Sequence, residues 1–395
     1  MTYVAEPAVP MSSPDLAPED VSAVLEVMRS TTLSGGPFVQ RFEATVAQLA
    51  GTRHAVAVSS GTAGLHLAVI AAGVGPRDVV LTTPFSFVAS ANVILYERGI
   101  PVFVDVDPAT GNMDPARLAE TICALRGKAG ERGRLPRALR DLDLGEVRAL
   151  LPVDVFGQPA DIESLGEQAR ALGVPVIEDS CEAIGSSYKG KPAGSLGDCG
   201  VFAFYPNKQM TTGEGGVIVT DRDDWARLFR SLRNQGRDEG GDWLTHARLG
   251  YNYRLPELSA ALGLSQITRL DELLQKRSQV AAWYAEGLQG TEGVRLPTVA
   301  QATTRMSWFV YVIQLAEGRN RVREALAARG IPSRTYFSPI HLQPFYVERF
   351  GYTEGDYPVA EHLGRTSLAL PFSGVMTREQ VERVCNAVRA TVRAG

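Results

Sequence analysis

The chain of 395 residues is 45% hydrophobic and 21% charged, with a formal net charge of −4 and a pI near 5.9. That length leaves room for two domains, the apolar content supports a sizeable core rather than disorder, and the acidic balance argues against a general nucleic-acid binder while leaving room for a local basic pocket. No apolar run reaches the roughly 18 residues of a membrane span; the four cysteines, Cys123, Cys181, Cys199 and Cys385, form no CxxC and read as reduced thiols of a cytoplasmic protein; the five histidines show no metal-ligand spacing.

The first stretch, MTYVAEPAVPMSSPDL, has no basic region followed by an apolar core and does not read as a signal peptide. From about residue 54, short apolar runs alternate with helical patterns. Strands are predicted at 54–59, 79–83, 102–105, 149–153 and 176–179, and helices at 63–72, 86–97 and 162–172. This order implies a mostly parallel sheet with helices on both faces. Residues 125–147 break the rhythm with mixed Arg, Lys and acids, and read as an exposed insertion or part of a basic rim. Leu258, Leu262, Ile267, Leu270 and Leu274 recur at helical spacing and predict one long helix leaving the large domain. A smaller α/β unit follows, with a strand at 308–315, a helix around 321–329 and a last helix from Thr377, where Gln380 completes a capping box.

In parallel sheets ligands bind beyond the carboxyl ends of the strands, so the residues just after each strand carry the functional signal. At 59–65, SSGTAGL joins a strand to a helix. Its small residues would let backbone amides meet an anion at a helix N-terminus, although a tight turn capped by Thr62 explains it equally. At 84–89, PFSFVA offers Phe87 as a face for a flat ring or as a core residue. At 176–179, VIED ends an apolar strand in two acids, and Asp179 there needs a cationic partner or a capping role. The stretch FAFYPNKQMTTGEGGVIVT places Lys208 between two strands beside a glycine-rich turn. That residue is either a solvated loop lysine or an amine activated in a partly dry pocket. A phosphate cradle, a ring stacker, an acid for a ring nitrogen and an imine-forming lysine together meet the needs of pyridoxal 5′-phosphate (PLP).

The motifs SSGTAGLHLA, TTPFSFVASAN, VDVFGQPADI, IEDSCEAIGS, YPNKQMTTGEGG and GYNYRLPELSAALGLSQI, in this order, make the chain resemble the DegT/StrS-type sugar aminotransferase family of fold-type I PLP enzymes, over essentially its whole length. The resemblance implies an α/β fold: a large, mostly parallel sheet domain with the N-terminal segment over 1–255, then a linking helix and small C-terminal α/β domain over 256–395. It implies that Lys208 holds the cofactor and shuttles the proton, Asp179 pairs with the ring nitrogen, Phe87 stacks on the ring, and Gly61, Thr62 and Ala63 hold the phosphate. It further implies a homodimer in which Asn252 reaches the neighbouring subunit's cofactor phosphate, and a substrate side lined by Tyr336 and His341. A related branch carries histidine at the lysine position and performs dehydration, so Lys208 places this chain with the transaminases.

Two positions depart from the family pattern. Glu182 stands where many members have glutamine near the cofactor's phenolic oxygen, where a carboxylate is repulsive unless protonated or turned away. Ala203 stands where many have a phosphate-binding serine, a contact that Tyr205, Asn207 or the partner's Asn252 would have to replace. The expected reaction moves an amino group from glutamate or glutamine to a nucleotide-linked keto-sugar, whose diphosphate would suit Arg254 or Arg334; for each arginine a surface or inter-subunit role is the alternative. A keto-cyclitol or other cyclic ketone of antibiotic biosynthesis is the alternative acceptor. A PLP-binding regulatory protein without turnover is the alternative class, and a dinucleotide-dependent dehydrogenase lacks its GxGxxG.

Overall fold

Runs such as VVLT and GVIVT are apolar at nearly every position, as strands covered on both faces must be. In the computed structural model, which describes residues 9–127, 135–238, 240, 242 and 244–393, both are buried along their whole length. They belong to a seven-strand sheet: β1 (His54–Val58), β2 (Val79–Thr82), β3 (Ile100–Phe103), β4 (Val147–Leu151), β5 (Ile177–Asp179), β6 (Cys199–Ala203) and β7 (Gly216–Thr220). The spatial order is β3-β2-β4-β5-β6-β7-β1, with isolated parallel bridges Leu150–Val176 and Val153–Asp179 joining β4 to β5. Pairings are parallel from β3 through β6, and β7 runs against both its neighbours. The carboxyl ends of the six like-directed strands therefore share one edge, where the predicted chemistry gathers.

Helices Gly61–Ala71, Ala89–Tyr96 and Ile162–Leu172 follow β1, β2 and β4. The first is capped by Ser60, not by Thr62: the Ser60 hydroxyl accepts from the Ala63 amide at 3.1 Å. The long helix expected through 258–274 is two helices, Glu257–Thr268 and Leu270–Leu288, broken where Arg269 leaves helical geometry (φ −106°, ψ 11°). The Arg269 guanidinium is drawn to the carbonyl and carboxylate of Asp15, both at 3.2 Å, and its N–H closes on Gln266 in a tighter final turn. Leu270, Leu273 and Leu274 pack with Phe42, Ile184 and Phe204, whereas Val280, Ala281, Tyr284 and Leu288 enter a second core.

That second core covers an antiparallel sheet of β8 (Val294–Arg295), β9 (Tyr311–Leu315) and β10 (Ser367–Leu370), with helices Arg319–Ala327 and Arg378–Arg393 against it. Thr377 and Gln380 make the reciprocal capping bonds, at 3.0 and 3.3 Å. The first described residues reach this core, with Val9 buried in it and the Met11 carbonyl accepting from the Phe372 amide, while helix Pro18–Met28 packs on helix Glu257–Thr268. Of the mixed-charge segment, 128–134 lie outside the described residues, and the remainder carries the end of helix Pro115–Arg126 and the short helix Arg137–Arg140. Among the described residues no helix is long and apolar enough to cross a membrane.

Candidate active site

A cavity of about 1290 Å³ opens over the carboxyl ends of β1, β2, β5 and β6. Its lining includes Gly61, Thr62, Phe87, Asp179, Glu182, Lys208 and Tyr336, so seven residues named from scattered motifs converge on one space. None of the described residues of the 125–147 segment lines it.

The strand-to-helix turn after β1 supplies one wall. A Cβ on Gly61 would lie 2.7 Å from both the Ala203 Cβ and the Cys181 Sγ, so only glycine keeps the backbone at this depth. A Cβ on Gly216 would come within 2.6–2.7 Å of the Ser60 and Gly61 backbone. The glycine-rich turn before β7 thus lets that strand pass directly beneath the cradle. Thr62 lines the cavity, whereas Ala63 does not, and the Ala63 amide donates to the Ser60 hydroxyl. With Ala203 in the lining, Tyr205 and Asn207 stand beside it as the polar side chains of that wall.

Asp179, at the end of β5, is 5% exposed. Its two oxygens accept one bond each, from the Ser90 hydroxyl at 2.7 Å and from the Cys181 amide at 3.2 Å. An ionised carboxylate has about four acceptor positions, so capacity remains for a donor in the cavity. Burial pushes the Cys181 thiol up, with the Asp179 charge adding to it, so this cysteine stays protonated and is no rival nucleophile.

Lys208 has 13% of its side chain exposed, and its amine lies 3.5 Å from Glu182 Oε1 and 3.9 Å from the centre of the Phe309 ring. The other Glu182 oxygen accepts from the Phe156 amide at 2.9 Å. Burial pushes the Glu182 carboxyl above the usual carboxylate range, while the Lys208 ammonium and the Phe156 N–H pull it back. The carboxyl is turned toward Lys208, and burial raises its proton affinity against the pull of that ammonium. Tyr336 is pushed up by burial first and then by the Glu182 charge, and remains a neutral phenol. Phe87 presents an open face, 64% exposed.

Other predicted residues fall elsewhere. His341 is fully buried, bonded through Nε2 to Glu361 at 3.1 Å and packed among Phe103, Tyr352 and Tyr357. Burial lowers its pKa, and it serves as a core histidine rather than a cavity wall. Arg254 spends its guanidinium on Asn234 Oδ1 at 2.9 Å and Gln235 Oε1 at 3.4 Å, and Arg334 is exposed with a bond to the Ser333 carbonyl. Neither lines the cavity, whose cationic side chains among the described residues are Lys208 and Arg349. Asn252 is exposed, pairs with Asn234 in a β-bridge and lies outside this chain's own cavity.

A glycine-floored amide cradle, an acid with spare acceptor capacity and a half-dry lysine on one sheet edge match the three polar demands of PLP, and the residues present fit it. This fold and site define a PLP-dependent aminotransferase. The chain belongs to the DegT/DnrJ/EryC1/StrS aminotransferase family, whose model matches residues 14–389. It is 38% identical over 388 residues to the GDP-perosamine synthase of Caulobacter vibrioides, across 97% of this chain and 98% of that protein. Among solved structures, S. venezuelae DesV in complex with a ketimine intermediate superposes with a TM-score of 0.84 at 33% identity, covering 95% of this chain and 94% of that one. The PLP form of a putative sugar aminotransferase from Streptococcus pneumoniae gives a TM-score of 0.86 at 25% identity, covering 98% and 99%.

Proposed function

We propose that the enzyme is a sugar aminotransferase that moves the amino group of glutamate or glutamine onto a nucleotide-linked keto-sugar, working in the cytoplasm as a homodimer. When bound, PLP supplies the aldehyde and the electron-withdrawing ring that amine transfer needs. The chain supplies the rest. Gly61 and Thr62 would hold the phosphate at the start of helix Gly61–Ala71. Asp179, oriented by Ser90, would accept from the ring nitrogen and keep it protonated. Phe87 would cover one ring face and exclude water. Lys208 would anchor the cofactor and then carry the proton at Nζ, with Glu182 oriented toward that nitrogen by the Phe156 amide.

The observation that carries the acceptor class is the size of the cavity together with the place of its second cation. At about 1290 Å³ it exceeds the roughly 300–1,000 Å³ of common small-molecule sites. Arg349, from helix Pro344–Phe350, stands in its wall with its guanidinium 5.9 Å from the Phe345 ring centre. A guanidinium fork suits the oxygens of a diphosphate. The near-full-length similarity to a protein named GDP-perosamine synthase supports the same class.

The test presents the aminated cofactor form of the enzyme with keto-sugars on guanosine, thymidine and uridine diphosphates, and with a free keto-cyclitol. Absorbance reports return of the PLP form, and mass spectrometry reports the amine. Turnover of a nucleotide-linked sugar is expected. Arg349→Ala should raise KM for it about tenfold, the loss of one charge-assisted contact, and leave the donor half-reaction unchanged, because that contact is remote from the reacting carbon. Turnover confined to the free cyclic ketone overturns the acceptor class.

A further inference from the structure

We infer that Arg277 is a positioning residue for the lysine. Its one guanidinium fixes the backbone of Lys208 and the backbone of the residue whose ring lies against the Lys208 amine.

Arg277 sits on helix Leu270–Leu288 and is 3% exposed. One terminal nitrogen donates to the carbonyls of Phe309 at 3.1 Å and Trp308 at 3.3 Å, and the other to the carbonyls of Lys208 at 2.5 Å and Asn207 at 3.2 Å. The Phe372 ring centre lies 5.7 Å from the guanidinium carbon. The nearby carboxylate Asp15 is bonded to Arg269 and Lys276 instead. Buried charges are normally matched by a counter-charge. Here the hydrogen-bond partners are four neutral carbonyls, from two segments distant in sequence. Desolvation accordingly pushes the guanidinium down to about 10.

A cation held this way is poorly explained by stability alone. Its geometry has a clearer use. A rigid planar fork fixes two strands of backbone in one plane, as a flexible ammonium cannot. The two segments it joins are those whose side chains meet at the reacting nitrogen, Lys208 over Phe309 at 3.9 Å. The helix that carries Arg277 passes from the large-domain cluster at Leu273 and Leu274 to the second core at Val280 and Tyr284. The lysine is thereby tied to the junction of the two cores. Gln209, bonded to the Ser307 carbonyl at 2.7 Å, tethers the same loop independently, so the loop need not detach when Arg277 is replaced.

The test compares Arg277→Met and Arg277→Lys with the wild type as holoenzymes and as apoproteins, after melting curves confirm folding. Amide hydrogen exchange in apo Arg277→Met should accelerate in the peptides over 205–211 and 306–310 and stay unchanged in β1–β3. With cofactor occupancy equalised, kcat should fall roughly a hundredfold in both half-reactions, the scale of a 1 Å misplacement, with donor KM within about threefold and partial recovery in Arg277→Lys. Unchanged kcat, or exchange that rises evenly across the protein, overturns the inference. If Arg277→Met does not fold, a cycle of Arg277→Lys with Phe309→Leu decides: coupled effects on kcat support it, and additive ones overturn it.

Discussion

Asp179 is oriented by one residue distant in sequence and one beside it. The serine that holds it, Ser90, comes from helix Ala89–Tyr96 after β2, and the amide that holds its other oxygen is two residues downstream. With both oxygens oriented, replacing the acid by its amide should change chemistry more than structure. Asp179→Asn is expected to keep the apoprotein melting temperature and cofactor binding close to wild type while slowing donor deamination by at least a hundredfold in stopped-flow absorbance. A rate within about threefold of wild type, a shift below 1 kcal/mol, would show the acid to be structural. Residues at strand ends were the legible ones, since alternation of short strands and helices fixes where those ends lie. Phe309 and Arg277 were not legible, because each is apolar or helical in its own segment and acquires meaning only across the fold. His341 misled for the converse reason: a polar residue in the RTYFSPIHLQPF stretch looks like a wall residue until its buried bond to Glu361 is known.

At the level of elements, β5 shows why a strand may end in two acids. Successive side chains point to opposite faces, so Asp179 meets the cavity while Glu178 turns away to accept the amides of Gly194, Leu196 and Gly197. Burial pushes Glu178 up to about 8, and the charge of Asp154 adds to it. Asp154, which accepts from the Ser180 hydroxyl and the Ala160 amide, is pushed up to about 7 by burial, with Asp179 and Glu182 adding repulsion. Both acids bind protons more tightly folded than unfolded. Their stabilisation is full below the unfolded values near about 4 and is lost as pH rises through about 7 to 8, since the slope follows the difference in bound protons. The apoprotein should therefore lose on the order of 1 kcal/mol per acid between about pH 6 and 9, read from urea midpoints. Asp154→Asn should flatten that slope. A stability that rises over this range would contradict the assignment. The sequence foretold most strands to within two residues. It missed the break at Arg269, because apolar spacing continues through it and the cause, Asp15, lies at the other end of the chain.

On the scale of the whole molecule, two stretches expose several large apolar side chains among the described residues. Helix Pro18–Met28 and its flanks expose Leu16, Val21, Leu25, Met28 and Leu33, and the segment before Asn252 exposes Leu244 and Leu249 at 76% and 84%. A face built from such side chains would suit a partner surface, and a two-fold homodimer is the commonest way to cover one. Asn252 is exposed, follows Leu249 closely in sequence and does not line the cavity of its own chain, so in the proposed two-fold pair it would complete the cradle of the neighbour. Complementation tests this directly. Lys208→Ala removes the amine and Asn252→Ala removes the crossing side chain, and each variant alone should be strongly impaired. If the sites are shared, a hybrid pair contains one cavity with an intact Lys208 and an intact Asn252 from the other chain. Random re-association makes half the pairs hybrid with one intact site in two, so activity should recover to about a quarter of wild type. Sedimentation should show a dimer throughout, and Leu25→Glu with Met28→Glu should yield inactive monomers. A mixture no more active than the sum of its parents would return each active site to a single chain.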